Sequence, residues 1–294
     1  MSLDWQRDGA TWPHHECSQF VEVGNLRWHV QRMHGLTHKA VHASRAKPDV
    51  LLIHGTGATT HSWRDLMPLL TSKFKVWAVD LPGHGFTSAG TPLQMSLPGM
   101  AQALAALLKV LGVQPQVLVG HSAGAAIAAR MCLDGWLEPK ALFSLNGALL
   151  PLGGLPGLMF PPAAKVMAAL PFVPKLFARS ADNPLAARRL IASTGSVLEA
   201  DGIELYARLL RNSEHVGGAL AMMANWDLKA LASKISQLKP ALTLVIGSND
   251  LAVPPAQAHR VHRMLPASTV ITLPGVGHLA HEEQPQRMFD LLNR

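Results

Sequence analysis

The stretch Gln116-Val117-Leu118-Val119-Gly120-His121-Ser122-Ala123-Gly124 decides how this chain is read. An apolar run leads into Gly-x-Ser-x-Gly, and a small-residue segment follows, Ala125-Ala126-Ile127-Ala128-Ala129-Arg130. Strand, tight turn and helix in that order place a serine hydroxyl at the edge of a sheet. Gly120 and Gly124 carry no Cβ to clash at so sharp a turn. The N–H groups at the helix start face any negative charge that develops there. The bland alternative is a Gly-rich turn with an exposed serine, so the rest of the chain has to decide.

Working outward, the same alternation recurs. Val50-Leu51-Leu52-Ile53 is a continuous apolar run ending in His54-Gly55-Thr56-Gly57. Such a run suits a strand buried on both faces of a parallel sheet. A helix is expected near Ser62–Met67, a strand at Lys75–Val79, and a helix opening at Met95-Ser96-Leu97 and running to Leu111. Ala141–Leu145 is a further short strand. Before all of these, Phe20–Val23 and Leu26–Gln31 flank Gly24-Asn25 as a hairpin. Residues 35–48 read as a polar loop, and residues 1–17 as a docked arm. From Asn146 to about Leu238 the alternation stops, and the stretch is too long for a loop. It reads as a mostly helical insertion whose first part, Leu149–Pro174, is an adaptable apolar surface. The pattern then resumes with strands at Leu242–Ile246 and Thr269–Leu273 and helices at Ala256–Met264 and Pro285–Leu292. The expected fold class is α/β, a mostly parallel sheet flanked by helices. Residues 1–146 and 239–294 form the core and 147–238 a cap inserted after the sixth strand.

Composition narrows the function. The 294 residues are 48% hydrophobic, enough for a full core. The net charge of +7 is spread along the chain with no long run of one sign, which argues against a nucleic-acid stripe. Attraction to anionic partners or anionic lipid is compatible with it. Two cysteines, Cys17 and Cys132, make no disulfide framework. The first twenty residues lack the apolar core of a signal peptide. The longest apolar stretch, Ala141–Pro162, is broken by Gly153, Gly154, Pro156 and Gly157 and does not read as a membrane span. A reducing cytoplasmic compartment is expected, with peripheral membrane contact through Leu152–Phe160 as a secondary expectation.

Thr56, Ser122, Asp250 and His278 each follow a strand, and ligands of such sheets bind at the carboxyl ends. The order Ser, Asp, His is the one α/β-hydrolases use, and over essentially its whole length the chain resembles that superfamily. The resemblance implies Ser122 as nucleophile, His278 as its base and Asp250 as the carboxylate that orients the imidazole. It implies the backbone N–H groups of Thr56 and Ala123 as the oxyanion hole. A serine rather than an aspartate at the turn points away from dehalogenase and epoxide hydrolase chemistry. His54 and His84 read as loop supports and His121 as a neighbour of the reacting groups. His281, three residues after His278, suggests metal only with further ligands; none is legible, and no cofactor is expected.

Further stretches carry a narrower resemblance: Trp28-His29-Val30-Gln31, His61-Ser62-Trp63-Arg64-Asp65, Thr194-Gly195-Ser196, Met222-Met223-Ala224-Asn225-Trp226-Asp227 and Gly277-His278-Leu279-Ala280-His281-Glu282-Glu283. Together they are similar to the magnesium-chelatase accessory proteins of bacteriochlorophyll biosynthesis, the BchO type. That implies a role beside magnesium insertion into protoporphyrin, a small hydrophobic acyl compound or a tetrapyrrole as ligand, and chelatase subunits as partners. Trp63, His121, Met222, Met223 and Trp226 are the candidate pocket residues, with core packing as the alternative for the methionines and Trp226. Three functions stay open: a serine hydrolase of this pathway, a non-catalytic porphyrin-binding accessory protein, and a generic carboxylesterase.

Overall fold

The apolar runs form eight strands of one sheet: β1 (Ser18–Val23), β2 (Leu26–Met33), β3 (Asp49–Ile53), β4 (Lys75–Val79), β5 (Val117–His121), β6 (Ala141–Leu145), β7 (Ala241–Gly247) and β8 (Thr269–Leu273). This computed structural model describes residues 3–34, 47–151, 165–167, 169–170 and 172–293. The order across the sheet is β1-β2-β4-β3-β5-β6-β7-β8. β1 and β2 are antiparallel, as are β2 and β4, and the pairs from β4 through β8 are parallel. The α/β class and mostly parallel sheet expected from the sequence are therefore the architecture observed.

Both faces of the sheet are covered, which is why its middle strands read as unbroken apolar runs. Leu51 and Ile53 of β3 enter one buried cluster, and Val50 and Leu52 enter another. Trp77 and Val79 of β4 join the first, Val76 and Ala78 the second. Each fully buried large apolar side chain contributes about 1.5–3 kcal/mol. The helix Leu97–Leu111 lies over the first cluster, capped by Ser96 at its start and by Gly112 in the left-handed region at its end. The helix expected near Ser62 is instead a 3-10 turn, Thr60–Trp63, followed by the α-helix Leu66–Leu70. Thr59 accepts from the His61 N–H and Ser62 Oγ donates to Thr59 O, local bonds that compete with an α-helix. Both cysteines are free. No helix among the described residues is long and apolar enough to cross a membrane.

Between β6 and β7 the described residues form the helices Val173–Ser180, Leu185–Ser193, Ala200–Leu210, Ser213–Ala224 and Lys229–Lys234, with no strand. Leu152–Phe160, the expected membrane contact, lies outside the described residues, as does most of the polar loop 35–48. The insertion is tied to the core by a buried network. Arg64 Nη1 donates to Glu282 Oε2 at 2.6 Å, and Tyr206 OH donates to Glu282 Oε1 at 2.7 Å. The arm before β1 braces the same helix: Trp12 is buried with Phe86, Leu205 and Leu209, and the Arg208 guanidinium lies 5.2 Å from its ring.

Burial raises the Glu282 carboxyl to about 7, against the pull of Arg64 and of the Tyr206 hydrogen bond. The folded chain thus keeps a proton that an unfolded carboxyl, at its ordinary 4.5, has released. Stability from this group is full below that value and is lost as pH rises through the raised one. In urea unfolding from about pH 5 to about pH 8, Glu282→Gln should lose less stability with rising pH than the parent protein. Equal slopes would show that Glu282 is not the titrating group.

Candidate active site

The strand order reverses at β3, which pairs with β4 on one side and β5 on the other. Crevices of α/β sheets open at such a switch, beyond the carboxyl ends of the strands. The residues following β3 and β5 are His54-Gly55-Thr56 and Ser122. Ser122 adopts φ 50°, ψ −116°, one of three positive-φ non-glycine residues among those described. Its N–H donates to Leu145 O at 3.0 Å, and its carbonyl accepts from Ala125 and Ala148 N–H at 3.2 and 3.0 Å. A Cβ on Gly120 would come within 2.5 Å of Ala125 N and Cα, and one on Gly124 would fall on Ile53 O. The helix Ala123–Leu133 can lie against β3 only because these two residues are glycine. A Cβ on Gly55 would lie 2.9 Å from Ser122 Cβ, so the Thr56 loop abuts the turn directly.

Asp250 and His278, on the loops after β7 and β8, form a buried pair. His278 Nδ1 lies 2.8 Å from Asp250 Oδ2, so the ring donates there. Asn146 Nδ2 donates to the same oxygen at 2.8 Å and to Gly277 O at 3.2 Å, bridging the two loops. Ala252 and Val253 N–H donate to Asp250 Oδ1, both at 2.9 Å. The carboxylate is thus held by four donors, and His278 Nε2 carries none of the described hydrogen bonds. His121 Nε2 donates to His278 O at 3.0 Å, and the two rings lie 4.7 Å apart. No described hydrogen bond joins Ser122 Oγ to His278; such contacts often tighten only with substrate bound.

Comparison with known proteins shows the family. The sequence model described as the alpha/beta hydrolase family matches residues 50–291. The chain belongs to the alpha/beta hydrolase family. It is 35% identical to the magnesium-chelatase 30 kDa subunit of Rhodobacter capsulatus, across 93% of this chain and 92% of that one. It is 27% identical to the mouse sn-1-specific diacylglycerol lipase, across 87% and 83% respectively. An alpha/beta hydrolase fold protein from Burkholderia ambifaria superposes with a TM-score of 0.77 at 18% identity, covering 95% of this chain and 98% of that one.

The helical insertion of this alpha/beta hydrolase presses on the loops that carry the candidate residues. Leu251 and His278 N–H donate to Thr194 O, and Leu279 N–H donates to Ser196 Oγ at 2.8 Å. A Cβ on Gly277 would collide with the Gly195 and Ser196 backbone. His215 Nε2 donates to Gly57 O and its Nδ1 accepts from Gly85 N–H, both at 3.1 Å. Gly218, three residues on, packs against Gly83 so closely that a Cβ would fall on its carbonyl. Met222, four further on and fully buried, accepts from Thr56 Oγ1 at 3.4 Å. His215, Gly218 and Met222 thus form the core-facing side of one helix.

The remaining sequence candidates divide. Met223 turns away from Met222 and packs with Val173, Val216 and Leu220 inside the insertion. Trp226 packs partly buried against the main core cluster. Trp63 is wholly enclosed among the core residues on the other face of the sheet, its ring 4.5 Å from His281. His54 accepts from Leu81 N–H at Nε2 and donates from Nδ1 to Gly55 O, which supports the Thr56 loop. His84 donates from Nδ1 to Pro82 O. Asn146 and His215 carried no sequence motif; the docking face becomes visible only when His215, Gly218 and Met222 are seen at steps of three and four on one helix.

Two measurements test this account of the site's scaffold. Gly124→Ala should cost about 1–3 kcal/mol or more in urea unfolding, because the added methyl meets backbone rather than a movable side chain. His215→Ala should cost about 1–3 kcal/mol, two hydrogen bonds between insertion and core. Parent-like stability in either variant would contradict the packing described.

Proposed function

We propose that this protein is a serine hydrolase in which Ser122, His278 and Asp250 carry out acyl transfer. The observations that carry the reading are the buried His278–Asp250 pair with an uncommitted Nε2 and a serine held at positive φ on a strand-to-helix turn after β5. Ser122 Oγ attacks an acyl carbonyl as its proton passes to His278 Nε2. The tetrahedral oxygen is held by the N–H groups of Thr56 and Ala123, the latter at the open start of its helix. Collapse expels the alcohol, which takes the proton from His278, and water then cleaves the acyl-enzyme by the same route. Asp250 keeps the imidazole in the tautomer with Nδ1–H, stabilises its charged form, and is itself oriented by Asn146. Residues 147–238 act as a cap over this centre.

For the substrate, the likeness to a magnesium-chelatase subunit supports an ester or related acyl compound of tetrapyrrole metabolism, with chelatase subunits as partners. Met222, buried beside Thr56, suits the apolar wall of such a site. A fluorophosphonate probe should label the parent protein, and Ser122→Ala should abolish labelling; an unlabelled, folded parent protein would defeat the reading. The same likeness favours a second reading, a porphyrin-binding accessory role without catalysis. Complementation of a host lacking the related subunit separates the two, since rescue by Ser122→Ala means binding and failure by the folded variant means catalysis.

A further inference from the structure

Surface helices ordinarily bury their apolar stripe and show polar residues to water. Two consecutive helices of the insertion, joined by residues 181–184, depart from this. In Val173–Ser180 the buried side is Val173 and Ala178, continued by Ala181. The opposite side holds Phe172, Leu176, Lys175 and Arg179, related by steps of three and four residues. Phe172 and Leu176 are 59% and 58% exposed. In Leu185–Ser193 the buried side is Ala187 and Ile191, and Leu185, Arg188, Arg189 and Leu190 face outward. Val166 and Leu170, just before the first helix, are exposed as well.

The charge of these two outward sides is of one sign. Residues 165–190 contain five cations, Lys165, Lys175, Arg179, Arg188 and Arg189, against one carboxylate, Asp182. None of the five takes part in a described salt bridge. Large apolar side chains in water, interleaved with unpaired cations on short helices, are the composition of an interfacial surface. The rings and aliphatic groups enter the boundary of a bilayer, while the cations reach the headgroup phosphates. A protein partner matched to this surface would need to bring both acidic groups and an apolar groove. A bilayer of anionic lipid offers both in one plane, and the chain's net charge of +7 adds long-range attraction.

We propose that the outward face of Val173–Ser180 and Leu185–Ser193 docks this protein on an anionic lipid surface. Docking is reversible, because the helices are too short to insert and anchoring is divided between contact and charge. The proposal does not depend on chemistry at Ser122.

Vesicle flotation tests it. The full chain should float with vesicles of equal parts phosphatidylglycerol and phosphatidylcholine, and poorly with phosphatidylcholine alone. Binding should weaken as salt rises. The double variant Arg188→Glu, Arg189→Glu should bind at least about tenfold more weakly. Phe172→Ser with Leu176→Ser should lower binding to both kinds of vesicle. All four positions are exposed, so circular dichroism melting should show parent-like folds. Ser122→Ala should bind like the parent, which separates this proposal from the catalytic one. Absence of binding to anionic vesicles at low salt would overturn it, as would binding unaltered by both double variants. Self-association through Phe172 and Leu176 without vesicle binding would assign the face to a second copy instead and equally overturn it.

Discussion

The closeness of the helix Ala123–Leu133 to β3 sets almost everything at the candidate site. Backbone meets backbone where Gly124 lies on Ile53 O, and this contact fixes the height of the helix over the sheet. The helix is built for it: Ala125, Ala126, Ile127, Ala128 and Ala129 are all fully buried, and four of the five are alanine. With the helix so low, the chain has too little room to turn in an ordinary conformation, and Ser122 takes positive φ. Such a conformation costs about 1–3 kcal/mol and persists only where its surroundings over-determine it. Here they do, through bonds from β6 and from the segment after it to both backbone groups of Ser122.

The insertion completes what the sheet begins. The loops after β3, β7 and β8 leave polar backbone groups that the sheet itself does not pair, and buried groups of that kind need partners. Thr194 O, Ser196 Oγ and the His215 ring supply several of them. The short motifs that carried the narrower family resemblance are contact points of this kind. Arg64 comes from one and Glu282 from another, and they meet although 218 residues separate them. The Thr194-Gly195-Ser196 motif sits on the loop of the motif that contains His278. A change in one such motif would strain another, so their joint presence says more than each alone.

Strand positions were legible because burial on both faces writes an unbroken apolar run, as in Val50–Ile53. The turn at Ser122 was legible because steric limits admit only glycine at its two flanking positions. Asp250 and His278 could be found because each follows a strand in the expected order. Asn146 escaped because a single amide after β6 has no periodicity; its role exists only once β6, β7 and β8 lie side by side. Among the candidate pocket residues, Trp63, Met223 and Trp226 pack within the protein, while Met222 and His121 adjoin Thr56 and His278. Aromatic and sulfur side chains look alike as ligand surface and as packing, and tertiary burial enclosed Trp63. Adjacent Met222 and Met223 were grouped by sequence, whereas a helix points neighbours in different directions.

Among the described residues there are two histidine–aspartate pairs of nearly the same geometry, and their difference explains the choice of candidate. His29 Nδ1 also meets a carboxylate, Asp80 Oδ2, at 2.8 Å, and its Nε2 meets Ser18 Oγ at 2.9 Å. On hydrogen bonds alone this is the more complete serine–histidine–aspartate relay. Yet Ser18 Oγ also accepts from Gln31 Nε2, and Asp80 accepts from the backbone of Thr60 and Phe86. The His29 ring is fully enclosed, with Trp5, Phe20 and Phe86 around it at 5.1–5.4 Å. Every polar atom of that ring is used inside the protein, and an acyl group has no approach to it. His278 is the converse, with Nδ1 committed to Asp250 and Nε2 uncommitted, on a loop at the carboxyl edge of the sheet. A base needs a free lone pair and a route for its substrate more than it needs a finished hydrogen-bond chain at rest. On that criterion His29–Asp80 is a structural lock between β2 and the loop after β4, and His278–Asp250 is the pair that meets the requirement of the chemistry proposed for Ser122.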